Sequence, residues 1–257
     1  MDPNTALATI GISAATALVT KGADAPAKTL NLLWEATIGR LNPYLENMIE
    51  EHNQNVKKYS DAIKQEITDI PPEQINQSPD ISVLGPALEA SKFYVENEEI
   101  RNMFAKLIGS EFDLRKAGKI HHSFVDIIRQ MSSNDARLFP KLPRTGPLAE
   151  IKVFTKGGDT YLRVGPQYIL LIPPDITDNF ENNAVSLNNL SRLGLIEIST
   201  QFPLTNKAHY AAYETLSYYQ QANQILSQDP NTFSKVEISK GAFTFTAYGD
   251  LFKTVCL

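Results

Sequence analysis

The sequence predicts a mostly helical α+β protein with an N-terminal amphipathic, membrane-active helix, a central helical domain and a C-terminal α/β domain resembling a winged helix. Three observations predict this. Residues 3–20 carry no charge, and helical periodicity then dominates as far as about residue 141. Beyond residue 147 the pattern changes to short strands separated by glycine turns. We therefore expect three domains, at residues 1–26, 27–141 and 142–257.

Composition and charge narrow the class of protein. Of the 257 residues, 42% are hydrophobic and 21% charged, which is typical of a folded chain with a substantial core. The 24 basic and 29 acidic residues give a net charge of −5, so no basic excess exists to neutralise a phosphate backbone. Nucleic acid is therefore not an expected partner. The single cysteine, Cys256, and the lack of a secretory signal predict a cytoplasmic protein at rest.

The uncharged N-terminal segment is the most informative stretch. On a helix of ~100° per residue, its hydroxyl side chains share an arc of about 80° and form a seam: Thr5, Thr9, Ser13, Thr16 and Thr20. The opposite side carries Leu7, Ile10, Ala14 and Leu18. Such a helix suits a pore formed by several copies, with one side against lipid and the other against water or a neighbouring helix. The alternative is a helix packed against its own domain with the threonines exposed, or a flexible terminus.

The central domain is built from helices that each bury one side. An alternation of three- and four-residue spacings predicts a packed helix through Leu45, Ile49, His52, Val56, Tyr59 and Ile63. Asn97 is a predicted helix cap, followed by two glutamates and then by the buried positions Ile100, Phe104, Leu107 and Ile108. Ser123 caps a further short helix. Proline and glycine residues between 140 and 147 end the helical pattern.

The C-terminal domain mixes strands and helices. Strands are predicted at residues 151–154, 161–164 and 168–172, the first two joined by a turn at Gly157-Gly158. Helices at about 184–193 and 207–227 surround a strand at 195–198, and a hairpin that turns at Lys240-Gly241 precedes a terminal helix. This order resembles a winged helix, which often reads DNA. However, residues 186–257 hold five basic and five acidic side chains, a balance that favours protein recognition. Candidate partner-binding residues are Tyr210, Tyr213, Tyr218 and Tyr219.

No constellation of catalytic or metal-binding residues is apparent. The adjacent His121 and His122 would point about 100° apart on a helix and are poorly placed to share an ion. His52 lies in the apolar stripe of its helix, and Cys256 lacks a nearby base. We therefore expect a protein that is not an enzyme and that needs no metal or cofactor.

Four segments together resemble the abortive infection alpha family of bacterial defence proteins. They are EEIRNMFAKLI at residues 98–108, HHSFVDIIRQMS at 121–132, SLNNLSRLGLI at 186–196, and the ending from Thr246 to Cys256. Their order and spacing agree with the family from about residue 30 onward. The resemblance implies protection of a bacterial population from phage at the expense of the infected cell, and it transfers no catalytic residues.

The resemblance and the N-terminal segment together predict an effector. We expect it to recognise a phage or host protein, to self-assemble into a homo-oligomer, and to move from the cytoplasm to the inner membrane, which its N-terminal helix permeabilises. The alternative hypothesis is a winged-helix regulator or antitoxin-like module that binds nucleic acid and never contacts lipid.

Overall fold

The fold is α+β and mostly helical, as the sequence predicts, and it carries a four-stranded antiparallel sheet. The computed structural model describes residues 13–38, 49–158, 160–171 and 179–257, with only the backbone of residues 49 and 50. The chain divides into two units. The helical unit comprises the chain up to Ser133 together with Leu251–Leu257, and the sheet unit comprises Asn134–Asp250.

The helical unit is arranged around one central helix. Its helices are α1 (residues 13–19), α2 (Asp24–Ala36), α3 (Ile49–Thr68), α4 (Ile81–Ser91), α5 (Glu98–Glu111) and α6 (Phe124–Arg129), and α7 (Ser133–Leu138) leads into the sheet unit. Short 3-10 turns lie at Pro72–Gln74 and Leu114–Lys116. Helix α5 packs against α3, α4 and α6, which makes it the central element.

Helix α5 forms as its sequence predicts and is buried on nearly all sides. The Asn97 side chain accepts a hydrogen bond from the Ile100 N–H (3.0 Å), and Glu98 and Glu99 occupy the first turn. Because an acidic first turn and an asparagine cap both stabilise a helix N-terminus, the start of α5 is well defined. A Cβ added at Gly109 would lie 2.4 Å from the Glu66 Cβ, so α5 and α3 approach each other closely at this glycine.

The predicted apolar face of α3 is confirmed. Val56, Tyr59 and Ile63 are all fully buried, and the Trp34 ring of α2 stacks on Tyr59 with 5.7 Å between the ring centroids. His52 of the predicted stripe is half-buried, and Leu45 and the side chain of Ile49 lie outside what the structure describes. Apolar packing against α2 and α5 therefore fixes α3 in the helical unit.

The sheet unit alternates strands with helices. Its elements are β1 (Thr145–Thr155), β2 (Tyr161–Leu170), α8 (Phe180–Arg192), β3 (Ile196–Ser199), a 3-10 helix (Lys207–Thr215), α9 (Ser217–Gln228), β4 (Phe233–Phe245) and the start of α10 (Ala247–Cys256). A further 3-10 turn lies at Phe139–Lys141. The strand order is β2-β1-β4-β3. One side of the sheet packs on the 3-10 helix and α9, and its core includes Ile151, Val153, Ile169 and Tyr213.

The first hairpin of the sheet agrees with the sequence. β1 and β2 are antiparallel, and the turn between them includes Gly158, whose φ of +79° favours glycine. The predicted strand at 161–164 and the part of the predicted strand at 168–172 up to Leu170 belong to one strand, β2, whereas residue 172 lies outside the described residues. The β1–β2 register shifts between Ala149 and Ile151, so β2 has additional residues at this point, including Gly165 (φ +87°).

The predicted hairpin at Lys240-Gly241 is wrong. Both residues lie inside the continuous strand β4, where Lys240 pairs with Ala149 and Gly241 pairs with Leu148. A Cβ at Gly241 would lie 2.8 Å from the Ser199 carbonyl oxygen, so the glycine permits the close approach of β3 instead of forming a turn. The structure therefore does not confirm a winged helix.

The predicted helix at 207–227 also differs from the structure. It is divided at Leu216, whose ψ of 147° is extended, into the 3-10 helix and α9. The two pieces turn different side chains toward the sheet, because a 3-10 helix has three residues per turn instead of 3.6. Tyr210 and Tyr213, three residues apart in the 3-10 piece, are consequently both buried.

Candidate functional site

Helix α1 packs into the helical unit through small side chains. Ala14 and Leu18 are fully buried, and Ala15 and Ala17 are nearly so. The Ser13 and Ser60 hydroxyl groups are hydrogen-bonded at 2.9 Å, which joins α1 to the buried middle of α3. The described part of the N-terminal segment is therefore docked on its own unit.

The end of α1 is fixed by backbone geometry. The Ala23 N–H donates to the Leu18 carbonyl and the Gly22 N–H donates to the Val19 carbonyl, both at 2.9 Å, and Gly22 has a φ of +75°. This pair of bonds with a left-handed glycine is a Schellman motif, which closes a helix C-terminus. The Lys21 ammonium donates to the Ile70 carbonyl at 2.5 Å and adds a second polar tether.

The structure separates the two predicted sides of this segment where it describes them. Of the predicted lipid-facing residues, Ala14 and Leu18 are buried in protein. Of the predicted hydroxyl seam, Thr16 and Thr20 are exposed and Ser13 is half-buried. Thr5, Leu7, Thr9 and Ile10 lie outside the described residues. Across the described ranges, no helix has both the length and the hydropathy needed to span a bilayer.

A buried polar network lies between α3 and the start of α5. The Arg101 guanidinium is 5% exposed and donates from Nη1 to the Val95 carbonyl (2.7 Å) and to Asn55 Oδ1 (3.4 Å). The Asn55 amide donates to the half-exposed Glu96 carboxylate, which also bonds His52 Nδ1 at 2.6 Å. Arg101 therefore reaches a carboxylate only through Asn55, and its direct partners in the described chain are neutral oxygens.

Several buried polar atoms of the helical unit have no hydrogen-bond partner among the described residues. The Tyr59 hydroxyl lies near Ser91, outside hydrogen-bonding geometry, and the Ser91 hydroxyl donates to the Leu88 carbonyl. Each buried polar atom without a partner costs about 1–3 kcal/mol. The five atoms are Trp34 Nε1, His52 Nε2, Asn53 Oδ1, Tyr59 OH and Arg101 Nε.

The four candidate tyrosines of the sheet unit fall into two pairs. Tyr210 and Tyr213 belong to the core, where the Tyr210 hydroxyl donates to the Gly241 carbonyl (2.7 Å) and the Tyr213 hydroxyl reaches the Ile169 carbonyl (3.2 Å). Tyr218 and Tyr219 are half-buried on α9. Burial, together with a hydrogen bond to the Glu181 carboxylate, raises the pKa of Tyr218 to about 12. A partner-binding role stays a prediction, and only the second pair reaches the surface in this conformation.

A groove lies between the 3-10 helix, α9 and β4. Its volume is about 380 Å³, and its walls are Lys207, Tyr210, Ala211, Glu214, Tyr219, Val236, Glu237, Ile238 and Lys240. The Lys240 ammonium lies 5.3 Å from the centroid of the Tyr210 ring. The lining thus combines apolar side chains with charged side chains of both signs.

The histidines and the cysteine occupy ordinary structural positions. His121 Nδ1 bonds the Ser123 hydroxyl (2.6 Å) and His122 Nδ1 bonds the Ser82 hydroxyl (3.2 Å). Cys256 is fully buried, and burial raises the pKa of its thiol well above the usual value. In the part of the chain that the structure describes, no group of three or more histidine, cysteine, aspartate or glutamate side chains is placed to hold a metal ion.

Sequence reasoning missed two buried charge clusters. Glu150 is buried in the sheet unit, 2.6 Å from the Lys152 ammonium and 3.4 Å from the Arg163 guanidinium. The polar network of Arg101 was missed as well. The one available signal was a charged residue inside an otherwise apolar element, since such a residue is buried only when its polar atoms find partners.

The chain matches a known protein family over most of its length. The family model described as abortive infection alpha matches residues 51–256. The match therefore includes α4 to α10 and the whole sheet, and it begins after α1 and α2. No curated protein and no solved structure matches the chain.

Proposed function

The chain belongs to the abortive infection alpha family, which suggests a role in bacterial abortive-infection defence, and from this premise we propose an anti-phage effector that acts on the inner membrane. A phage or host protein is the trigger that we propose. On activation, several copies assemble, and the N-terminal helix leaves the helical unit and permeabilises the membrane. The protein is cytoplasmic until then, and it uses no cofactor and catalyses no reaction.

The docked state of α1 is the observation that carries this proposal. Ala14 and Leu18, which are buried in protein at rest, are the residues that would face lipid after release. Thr16 and Thr20, which are exposed at rest, would face water or a neighbouring helix in a pore. Release therefore exchanges one apolar environment for another without burying a charge, since residues 3–20 carry none.

The apolar docking contacts of α1 within the described residues involve mostly small side chains. Burial of Leu18 contributes about 1.5–3 kcal/mol and each alanine methyl group about 0.8 kcal/mol. The same small side chains give little free energy of insertion into lipid to a single copy. This balance supports a mechanism in which α1 stays docked in a single molecule and inserts only when several copies satisfy one another's hydroxyl groups.

The structure disfavours the alternative, a winged-helix module that binds nucleic acid. It depended on a hairpin at Lys240-Gly241, which is a continuous strand. The equal numbers of basic and acidic residues between 186 and 257 also disfavour a phosphate-binding surface.

A reversible disulfide tests whether α1 must leave its docked position. The Ser13 and Ser60 hydroxyl groups are 2.9 Å apart, so the double variant Ser13→Cys/Ser60→Cys brings two thiols within disulfide range. The native Cys256 is fully buried and does not compete. We expect the oxidised variant to release no dye from anionic liposomes under conditions in which the wild type does, and a reductant to restore release.

The single variant Ser13→Cys is the matched control and should leak dye equally with and without oxidant. Ile10→Asp gives an independent test, because a charge on the lipid side costs about 2.5–3.5 kcal/mol per helix near the bilayer centre. Undiminished leakage by the oxidised double variant would show that α1 does not need to undock, and the proposal would fail.

A further inference from the structure

Among the described residues, strand β4 has one hydrogen-bonded neighbour over most of its length. It pairs with β1 from Phe233 to Thr244, whereas β3 pairs only with Ala242–Phe245. The part of β4 from Phe233 to Gly241 therefore borders open space on the side away from β1, as far as the described chain shows. Such an edge is a template for the addition of another strand.

The hydrogen-bond pattern shows which backbone groups face this open side. The Phe245 N–H donates to the Arg144 carbonyl (2.8 Å), and the register then runs without a shift from Thr145↔Thr244 to Phe154↔Lys235. Because antiparallel residues direct their backbone groups alternately to the two sides, odd-numbered residues of β4 bond β1 and even-numbered residues face away. Within this unshifted run the open groups belong to Val236, Ile238 and Lys240, and no described backbone group pairs with them.

We infer that a second copy of this chain adds its own β4 to this edge, antiparallel, with Lys235 of each copy opposite Glu237 of the other. In this register Val236 faces its own counterpart in a hydrogen-bonded pair. Lys235 and Glu237 then fall in the pairs that are not hydrogen-bonded, where cross-strand side chains lie closest. Lys235 and Glu237 already form an ion pair within their own strand (2.6 Å between Nζ and Oε2), and the second copy places one further opposite charge against each of them.

The charges of Lys235 and Glu237 favour this register over the registers shifted by two residues. Only shifts of two residues keep the open backbone groups of both copies facing each other. A shift of two in one direction places Glu237 against the other Glu237, and a shift of two in the opposite direction places Lys235 against the other Lys235. Like charges directly opposite are destabilising, so the proposed register is the one in which the edge complements itself.

The groove beside the edge leaves room for the added strand. Val236 and Ile238 line it from β4, and Ala211 and Tyr219 line it from the helical side. In the proposed register, Val236 of the second copy projects on the same side of the sheet as Val236 of the first and enters this space of about 380 Å³. The inference rests on the proposed function for its biological meaning, because it supplies a contact for the assembly step.

Charge reversal in solution tests the interface without any membrane. Lys235→Glu and Glu237→Lys each place like charges opposite one another, so each variant alone should dimerise at least about tenfold more weakly than the wild type. An equimolar mixture of the two restores both opposite-charge contacts and should form a heterodimer. Sedimentation equilibrium gives the association constants, and thermal unfolding checks that each variant is folded. A mixture that dimerises no better than its components overturns the inference.

Engineered cysteines test the register. Val236→Cys should form a disulfide between two copies, because hydrogen-bonded partners have Cα atoms about 5.5 Å apart, within disulfide range. Ile238→Cys is the matched control, because it would face Ser234 of the other copy and should not cross-link. Efficient cross-linking of Ile238→Cys without that of Val236→Cys would require a different register and would overturn this one.

Proline separates the edge contact from the membrane step. Ile238→Pro removes an N–H that no described group uses, so the strand should still fold while the edge no longer accepts a neighbour. We expect a monomer in sedimentation. A wild-type protein that is itself monomeric up to its solubility limit overturns the inference, whether or not it permeabilises liposomes. If the wild type is monomeric and Ile238→Pro nevertheless abolishes toxicity, the edge of β4 binds a different protein.

Discussion

The two units satisfy their buried polar groups differently. In the sheet unit, buried Glu150 is neutralised by Lys152 and Arg163, and the Tyr210 and Tyr213 hydroxyl groups bond backbone carbonyls. In the helical unit, buried Arg101 has only neutral partners in the described chain. All five buried side-chain atoms without a described partner also lie in the helical unit.

This difference indicates which unit changes conformation at the lower cost. A fully hydrogen-bonded polar network stabilises one conformation. Buried polar atoms without partners can form hydrogen bonds to water if a rearrangement exposes them, which lowers the free energy of the rearranged state. The helical unit also carries α1, whose described contacts include buried alanines, Leu18 and the hydrogen bonds of Ser13 and Lys21. We therefore expect the helical unit to be the part that rearranges and the sheet unit to stay rigid.

The largest expected contrast comes from neutralising one buried charge in each unit. Glu150→Gln should lower the free energy of unfolding by about 2 kcal/mol, because the largely buried Lys152 loses its counter-charge. Arg101→Met should lower it by less than about 1 kcal/mol, since the removal of a poorly satisfied buried cation offsets the lost hydrogen bonds. Urea unfolding measures both. A larger cost for Arg101→Met than for Glu150→Gln would reverse the comparison.

A smaller contrast comes from removing one hydroxyl group in each unit. Tyr213→Phe should cost about 1 kcal/mol, because its hydroxyl lies within hydrogen-bonding distance of the Pro147 and Ile169 carbonyls. Tyr59→Phe should change the free energy of unfolding by about 0 to +1 kcal/mol, since its buried hydroxyl has no described partner. Both variants keep the ring and its packing, so each controls for the other. Equal destabilisation by the two variants would show that the Tyr59 hydroxyl does have a hydrogen-bond partner.

The smallest expected effect depends on pH. Glu111 is buried in α5 and accepts a hydrogen bond from the Asp80 N–H (3.0 Å), and burial raises the pKa of its carboxyl above the usual 4.5. The folded state therefore holds this proton more tightly than the unfolded state, and the associated stability is present at low pH and is lost as pH rises through the folded pKa.

Glu111→Gln keeps an acceptor for Asp80 and removes the charge. We expect it to raise the melting temperature by about 1–3 °C at neutral pH and to leave it unchanged below the pKa of glutamate in unfolded chains. Melting curves across this pH range provide the measurement. A destabilised variant at neutral pH would show that the ionised carboxylate is favourable in the fold.

The sequence predicts the elements of this fold better than it predicts their partners. Local signals placed the cap at Asn97, the apolar face of α3 and the turn at Gly157-Gly158, because each depends on residues close together in the chain. The hairpin at Lys240-Gly241 failed because a glycine signals either a turn or a close approach. Only the position of Ser199, more than forty residues earlier, decides between these readings.

The candidate site follows the same rule. The amphipathic pattern of the N-terminal segment predicts which of its residues avoid water, but the same pattern suits lipid and protein equally well. The contact between Ser13 and Ser60 and the open edge of β4 both depend on the tertiary arrangement. No local pattern could therefore have indicated them.

Residues 251–257 complete the helical unit from the far end of the chain. Phe252 packs edge-on against Phe124 at 5.2 Å between ring centroids, the Val255 carbonyl accepts a hydrogen bond from Ser110 (2.8 Å), and Cys256 is fully buried. A nascent chain that has emerged from the ribosome only as far as Ser133 lacks all three. The helical unit, which also holds α1, is thus completed only after the whole sheet unit has been translated.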